Sequence, residues 1–411
     1  MNLLIAQSGG PTAVINATLA GAITEALEQH FTHIYGSLNG ITGIMENRLV
    51  EIDREAFCEK EVAEALKRRP SSILRSCRFQ LPADPDDVFY DHLFANLRAL
   101  AITHLIYIGG NDSMDTVMKL NIAMRQRGIT DLHIGGAPKT IDNDLCGMDH
   151  SPGFASAAKY VNNTLITIRN DIAIYAEPSC TIVEIMGRNA GWLAASAVAC
   201  NGGQTERRVD LLYLGEHPQS LDAMMEEIAA AVKSHRNVLV AISEGYRDTE
   251  RLLERRETVA SQDAGFHHPV LSGVAANLAD EVHTRLGIKT RSVELSITQR
   301  TAALLSATDV EEAFLLGRKA VLANLHDTNR IPVLLRESSD PYTVTYDAVP
   351  SETIANREKK IPQDWFQDRD TLEQKMCTYV LPLLQGEMAQ RYENGLLKFI
   401  ALEDFTKEVV R

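Results

Sequence analysis

Apolar and polar positions along the chain fall into a repeated unit. A short apolar run ends in a small, flexible turn, and a stretch with an apolar residue every three to four positions follows. Such a run predicts a buried strand, and the stretch after it predicts an amphipathic helix. Residues 2–6 form the first strand, Ser8-Gly9-Gly10-Pro11-Thr12 the turn, and 14–29 the helix. The unit returns at 105–108 ahead of Gly109-Gly110, and at 132–134 ahead of Gly135-Gly136. Later, 180–185 leads through Met186-Gly187-Arg188 into a helix at 193–200, and 238–242 ends at Ser243-Glu244-Gly245. Other helices are predicted at 55–68, 91–100, 151–170, 220–235, 275–286 and 309–324, and other strands at 33–36, 211–214, 292–297 and 333–335. GSLNGITGI reads as a loop, 351–374 as an irregular polar connector, and 372–388 and 403–411 as helical.

Alternating strands and helices of this kind predict an α/β fold with mainly parallel sheets. At 411 residues and 45% apolar, the chain can bury the cores of two or three domain-sized units. The net charge of −14 opposes a nucleic-acid or membrane-surface role, whose footprint is basic. Anionic substrates must then be held by locally placed arginine and lysine. Six cysteines without a CxxC pair read as reduced and mostly buried, as in a cytoplasmic protein. No apolar run reaches membrane-spanning length.

The chemistry gathers where strands end. In open α/β sheets ligands sit at the carboxyl ends of the strands, glycine lets a phosphate approach the backbone, and a helix N-terminus favours an anion. Asn111, Asp112 and Ser113 follow one glycine pair; Lys139-Thr140-Ile141-Asp142-Asn143-Asp144 follow another. Three acids and a lysine in adjacent crevices point to a metal and phosphates together. Arg75 and Arg78, three apart, could clasp a phosphate or lie solvated at the surface.

GGNDS at 109–113 and PKTIDND at 138–144 resemble the two signature loops of the 6-phosphofructokinases, and of these the pyrophosphate-dependent members most. The opening SGG, the MGR at 186–188, the SEG at 243–245, and Arg291 and Arg300 nine residues apart extend the resemblance over most of 2–345. It implies two Rossmann-like three-layer α/β domains with the active site in the cleft between them. Residues 1–155 with about 300–350 would form the phosphoryl-donor domain, and 156–299 with about 351–411 the sugar-phosphate domain. The implied reaction is reversible phosphorylation of fructose 6-phosphate at its 1-hydroxyl. Asp142 would be the base and Thr140 would contact the transferred group. Gly10, Arg78, Gly110, Asp112 and Lys139 would hold the donor. Met186, Gly187, Arg188, Glu244 and Arg300 would hold the sugar phosphate, with Arg291 reaching into a neighbouring subunit's site. A homodimer or homotetramer with shared active sites is therefore implied, as is Mg²⁺. Departures stand at Pro11 and Asn111, where the family carries acids, at Ile297, where it carries an aromatic residue or histidine, and at Ser179-Cys180, near which it often has an arginine. With Asn111 in place of an acid, the metal would lean on Asp112, Asp144 and the phosphates, with Asn111 a further candidate.

Pyrophosphate is the expected donor. ATP-using relatives carry glycine at the positions of Asp112 and Lys139. A carboxylate at 112 would repel a nucleotide's α-phosphate by about 4 kcal/mol at ~4 Å and an effective dielectric of about 20. Lysine at 139 would place a compact charge on the leaving phosphate. The alternative is that Asp112 and Lys139 form an ion pair across adjacent strand ends and leave the donor to other residues. Other open readings are an ATP-dependent 6-phosphofructokinase and a kinase of another ketose phosphate such as sedoheptulose 7-phosphate. A silent sugar-phosphate sensor is opposed by the intact Lys139, Asp142 and Asp144. A nicotinamide-dependent dehydrogenase is opposed by the lack of GxGxxG after the first strand.

Overall fold

The computed structural model describes residues 1–203, 207–253 and 273–409. Its strands are β1 (Asn2–Gln7), β2 (His33–Ser37), β3 (Leu49–Ile52), β4 (His104–Gly109), β5 (His133–Pro138), β6 (Ser179–Ile185), β7 (Leu211–Tyr213), β8 (Asn237–Ser243), β9 (Lys289–Glu294), β10 (Arg330–Ser339), β11 (Tyr342–Pro350), β12 (Tyr392–Glu393), β13 (Leu396–Leu397) and β14 (Thr406–Glu408). Two sheets carry the architecture, in the orders β14-β3-β2-β1-β4-β5 and β7-β8-β6-β9. The second is parallel throughout; the first is parallel from β2 to β5 and antiparallel at β3 and β14. Central strands read as continuous apolar runs because helices cover both their faces, and β4 and β8 are buried along their whole length. The α/β expectation holds.

Two helices far apart in sequence lock the first unit. Ile15–Glu28 crosses Ala307–Ala323 at Gly21 and Gly317. A Cβ on Gly21 would lie 1.9 Å from the Phe314 carbonyl oxygen, and one on Gly317 would lie 2.0 Å from that of Thr18. Glycine is required there by the closeness of the two backbones rather than by φ.

The structure corrects several local expectations. GSLNGITGI holds a short helix, Gly40–Met45, and the helix expected at 55–68 breaks at Glu59 into Arg54–Cys58 and Lys60–Lys67. The strand expected at 292–297 ends at Glu294, and Ser296–Arg300 is a 3₁₀ turn. The connector after 351 becomes helical at Arg369–Val380, where Asp368 caps the first turn by accepting the Thr371 N–H. The tail expected as a helix at 403–411 is, as far as residue 409, a 3₁₀ turn at Leu402–Asp404 and then a strand: Thr406–Glu408 pairs antiparallel with β3, and the fully buried Phe405 joins the first sheet's core; 410 and 411 lie outside the described residues. That end of the chain thus packs on the first sheet, although 351–411 is expected in the other domain. Only Cys180 and Cys200 are buried; all six cysteines are free. Among the described residues no helix is long and apolar enough to cross a membrane.

Candidate active site

β2 and β4 flank β1 on opposite sides, so the chain reverses its winding at β1 and a crevice opens beyond its carboxyl end. The Ser8–Gly10 turn stands there. Gly9 has φ +75°, which suits glycine, and a Cβ on it would lie 3.5 Å from Lys139 Nζ. A Cβ on Gly10 would lie 3.3 Å from Arg300 Nη1. Ser76 Oγ donates to Gly9 O at 2.6 Å and Ser8 Oγ to Cys77 O at 3.3 Å, so the segment bearing Arg78 crosses the same turn. Beyond β4, the helix Asn111–Gln126 begins at Gly110, whose carbonyl accepts the Ser113 N–H at 3.0 Å, so the Asn111 and Asp112 N–H groups are the ones at its start that an anion could take. The buried Ser113 Oγ has no hydrogen-bond partner, and a Cβ on Gly109 would lie 1.9 Å from it. This hydroxyl is one that a phosphate oxygen would satisfy.

Lys139 sits at the end of β5, only 2% exposed. Its Nζ donates to Gly10 O at 2.5 Å, and its N–H donates to Gly109 O at 2.9 Å. Burial pulls its ammonium down to about 8; Arg300 and Arg78 push the same way, while Asp142 and Asp144 oppose. Asp112 is exposed. The lysine is held by the first glycine turn, so the alternative of an ion pair between Asp112 and Lys139 has no support in this geometry.

The next residues turn sharply. Thr140 Oγ1 accepts the Asp142 N–H at 3.1 Å, and Asn143 adopts a left-handed φ of 56°. Asparagine tolerates that region. Its Oδ1 accepts the Ser151 N–H at 2.9 Å, and its Nδ2 donates to Tyr379 Oη at 2.9 Å. Two carboxyls thereby crowd together. Burial holds Asp142 above the ordinary aspartate range, the Glu244 carboxylate adds to this, and Lys139, Arg188 and Arg300 oppose it. Asp144 is raised by burial, by Asp142 and by Glu358, against Lys359.

The second sheet brings the other half. Ile185 lies opposite Ser243, so Met186 and Glu244 leave adjacent strand ends. Gly187 has φ +141°, and a Cβ there would lie 2.7 Å from Ala190 O. Ser243 Oγ donates to Gly187 O at 2.7 Å. Burial raises the Glu244 carboxyl; the Gly187 N–H, Arg188 and Arg300 restrain it. Gln299 Oε1 accepts the Met186 N–H at 3.2 Å, and Arg300 Nε is buried without a partner.

The structure thus gathers Gly10, Arg78, Lys139, Thr140, Asp142, Arg188, Glu244 and Arg300, with Gly110 beside Lys139 and Met186-Gly187 beside Glu244. It leaves Asp112 at the surface and Arg291 59% exposed, 3.8 Å from Asp171. Asn111 is engaged elsewhere: its Oδ1 accepts the Asn356 N–H at 2.7 Å and its Nδ2 donates to Arg357 O at 2.5 Å. Among the described residues no group of three or more His, Cys, Asp or Glu is arranged to hold a metal alone. Two crowded, desolvated carboxyls beside a phosphate crevice nonetheless suit a hard cation that takes its remaining ligands from phosphate and water. Gln299 and Lys359 were missed in the sequence, because nothing local marks a glutamine in a 3₁₀ turn or a lysine in a polar connector.

Residues 2–323 match the family model described as Phosphofructokinase. The chain belongs to the phosphofructokinase family. It is 36% identical to a protein of Halomonas elongata named pyrophosphate–fructose 6-phosphate 1-phosphotransferase, over 98% of this chain and 96% of that one. It is likewise 36% identical to a protein of that name from Xanthomonas campestris pv. campestris, again over 98% and 96%. Among solved structures, the pyrophosphate-dependent phosphofructokinase of Nitrosospira multiformis superposes with a TM-score of 0.86 at 29% identity, over 100% of this chain and 98% of that one.

Proposed function

We propose that this enzyme transfers a phosphoryl group reversibly from pyrophosphate to the 1-hydroxyl of fructose 6-phosphate, giving fructose 1,6-bisphosphate and phosphate. The observation that carries the choice of donor is Lys139, buried with its ammonium on the Gly10 carbonyl at the crevice. A nucleotide would bring further phosphate charge past the Asp112 carboxylate, whereas pyrophosphate ends where the lysine stands.

Asp142 accepts the proton of the 1-hydroxyl as that oxygen bonds to phosphorus. The bond from phosphorus to the bridging oxygen breaks, and the departing phosphate keeps the electron pair. Lys139 meets that growing charge. Gly10, Gly110 and Arg78 hold the donor, and Thr140 contacts the group in transfer. Glu244, the Met186-Gly187 backbone and Arg188 hold the sugar, and Arg300 holds its 6-phosphate. Asp144, with Asp142 beside it, would hold a magnesium ion together with pyrophosphate oxygens, and that ion neutralises phosphate charge when bound. Arg291, exposed on β9, serves the site of a neighbouring subunit in a homodimer or homotetramer. Residues 1–155 with about 300–350 and the last strand make the donor side, and the rest makes the sugar-phosphate side.

The test is turnover of fructose 6-phosphate and sedoheptulose 7-phosphate with pyrophosphate and with ATP, compared as kcat/KM. The reading expects pyrophosphate with fructose 6-phosphate to lead. A preference for ATP overturns the donor, and a preference for the seven-carbon sugar overturns the acceptor.

A further inference from the structure

Residues 356–359 form a strap that touches three of the turns just described. Asn356 and Arg357 are held through their backbone by the Asn111 amide, at the start of the donor-side helix. The Asn356 Nδ2 also donates to Asp115 Oδ1 at 2.8 Å. Glu358 Oε1 accepts from Asn189 Nδ2 at 2.7 Å, one residue beyond Met186-Gly187-Arg188. The Lys359 N–H donates to Asp144 O at 2.7 Å, and its carbonyl accepts the Trp192 Nε1–H at 2.9 Å. The Lys359 ammonium donates to Asp149 O at 2.5 Å and reaches Met148 O and Asn143 Oδ1 at 3.4 Å each. It also lies 5.1 Å over the Trp192 ring. Four successive residues therefore join the donor turn, the base-bearing turn and the sugar-side turn, which come from both sheets.

We propose that Lys359 and Asn111 are positioning residues for phosphoryl transfer: the Lys359 ammonium acts through the Asn143 side chain and the Met148 and Asp149 carbonyls, and Asn111 through the strap, to fix the base against the donor. This rests on the functional reading above. An asparagine suits 111 because the strap needs one donor and one acceptor from the same side chain; a carboxylate there could not donate to Arg357 O. Reactive groups misplaced by about 1 Å lose on the order of a hundredfold in rate, so a loosened strap should appear in kcat.

The experiment uses the full-length protein carrying Trp365→Phe, which leaves Trp192 as the sole tryptophan of the two. Lys359→Met, Lys359→Arg, Asn111→Ala and Asn111→Asp are then introduced singly. Lys359→Met should lower kcat by about 10- to 100-fold with the KM for fructose 6-phosphate within about threefold, and Lys359→Arg should recover most of it. Asn111→Ala and Asn111→Asp should both lower kcat by roughly tenfold, and Trp192 emission should shift in both. The proposal is overturned if folded Asn111 variants keep parental kcat, if Asn111→Asp improves turnover, or if Lys359→Arg recovers nothing. Should Lys359→Met not fold, the Asn111 pair decides. A parent protein without turnover refutes the functional reading instead; the strap then stands on a shifted Trp192 emission in the Asn111 variants and falls on an unchanged one.

Discussion

At the end of the first sheet, Lys139, Asp142 and Asp144 stand among one another, and burial moves each away from its ordinary titration range. At the outer strand of the second sheet, Arg291 lies 59% exposed with a 3.8 Å contact to an exposed aspartate. A surface pair of that kind contributes well under about 1 kcal/mol. The first arrangement is costly to build and pointless unless used, because a buried charge without a function would be replaced by an apolar residue at little loss. The second is cheap and incomplete. Under the proposed function, the contrast is between a donor side built within one chain and a sugar-phosphate side that takes Arg291 from another.

Removing the base breaks the comparison hardest. Asp142→Ala should lower kcat by about 10³- to 10⁴-fold while the KM for fructose 6-phosphate stays within about threefold. Steady-state assays in both directions check this, and near-parental turnover would place the base elsewhere. Lys139→Met comes next: kcat/KM for pyrophosphate should fall by about 10²- to 10³-fold. Asp112→Gly combined with Lys139→Gly should admit measurable turnover with ATP, and its complete absence would separate donor choice from these two positions. Arg291→Ala should raise the KM for fructose 6-phosphate by roughly tenfold, the worth of a hydrogen bond to a charged group. Mixing Arg291→Ala subunits with Asp142→Ala subunits sharpens the point. At fructose 6-phosphate well below the raised KM, hybrids should exceed the average of the two parents, since one site then holds both intact residues; no gain on mixing would mean that Arg291 serves its own subunit or none.

The smallest effect is a matter of pH. As the proposed base, Asp142 acts only when ionised, and its carboxyl is raised, so activity should fall on acidification already above the ordinary aspartate range. The proposed role of Lys139 needs its charge, and its ammonium is lowered to about 8, so kcat/KM for pyrophosphate should fall again as pH climbs through that value in the free enzyme. Lys139→Met should abolish the alkaline limb and leave the acid limb in place. A profile with both limbs in Lys139→Met would assign the upper one to another group.

What the sequence disclosed was local. Gly9-Gly10, Gly109-Gly110, Asp142, Met186-Gly187-Arg188 and Glu244 each follow a strand within a few residues, so one motif carries both the element and the chemistry. What it concealed was long-range. The partners of Asn111 lie at 356 and 357, so a residue readable as a metal candidate turned out to anchor a strap. Ser296 and Ile297 read as the end of a strand because Ser292-Val293-Glu294-Leu295-Ser296-Ile297 alternates polar and apolar residues, although the chain turns after Glu294. Thr406–Glu408 is too short to show a period, and it is a strand only because β3 offers it an edge.

That last pairing sets a timetable for making the protein. β3 leaves the ribosome about 350 residues ahead of the strand that covers its outer edge. At the usual rates of translation, roughly 20–70 s separate the two. Throughout that interval the edge of the first sheet is an open template for any extended chain nearby. A nascent chain halted anywhere before residue 406 should therefore be prone to aggregate, however complete its catalytic turns.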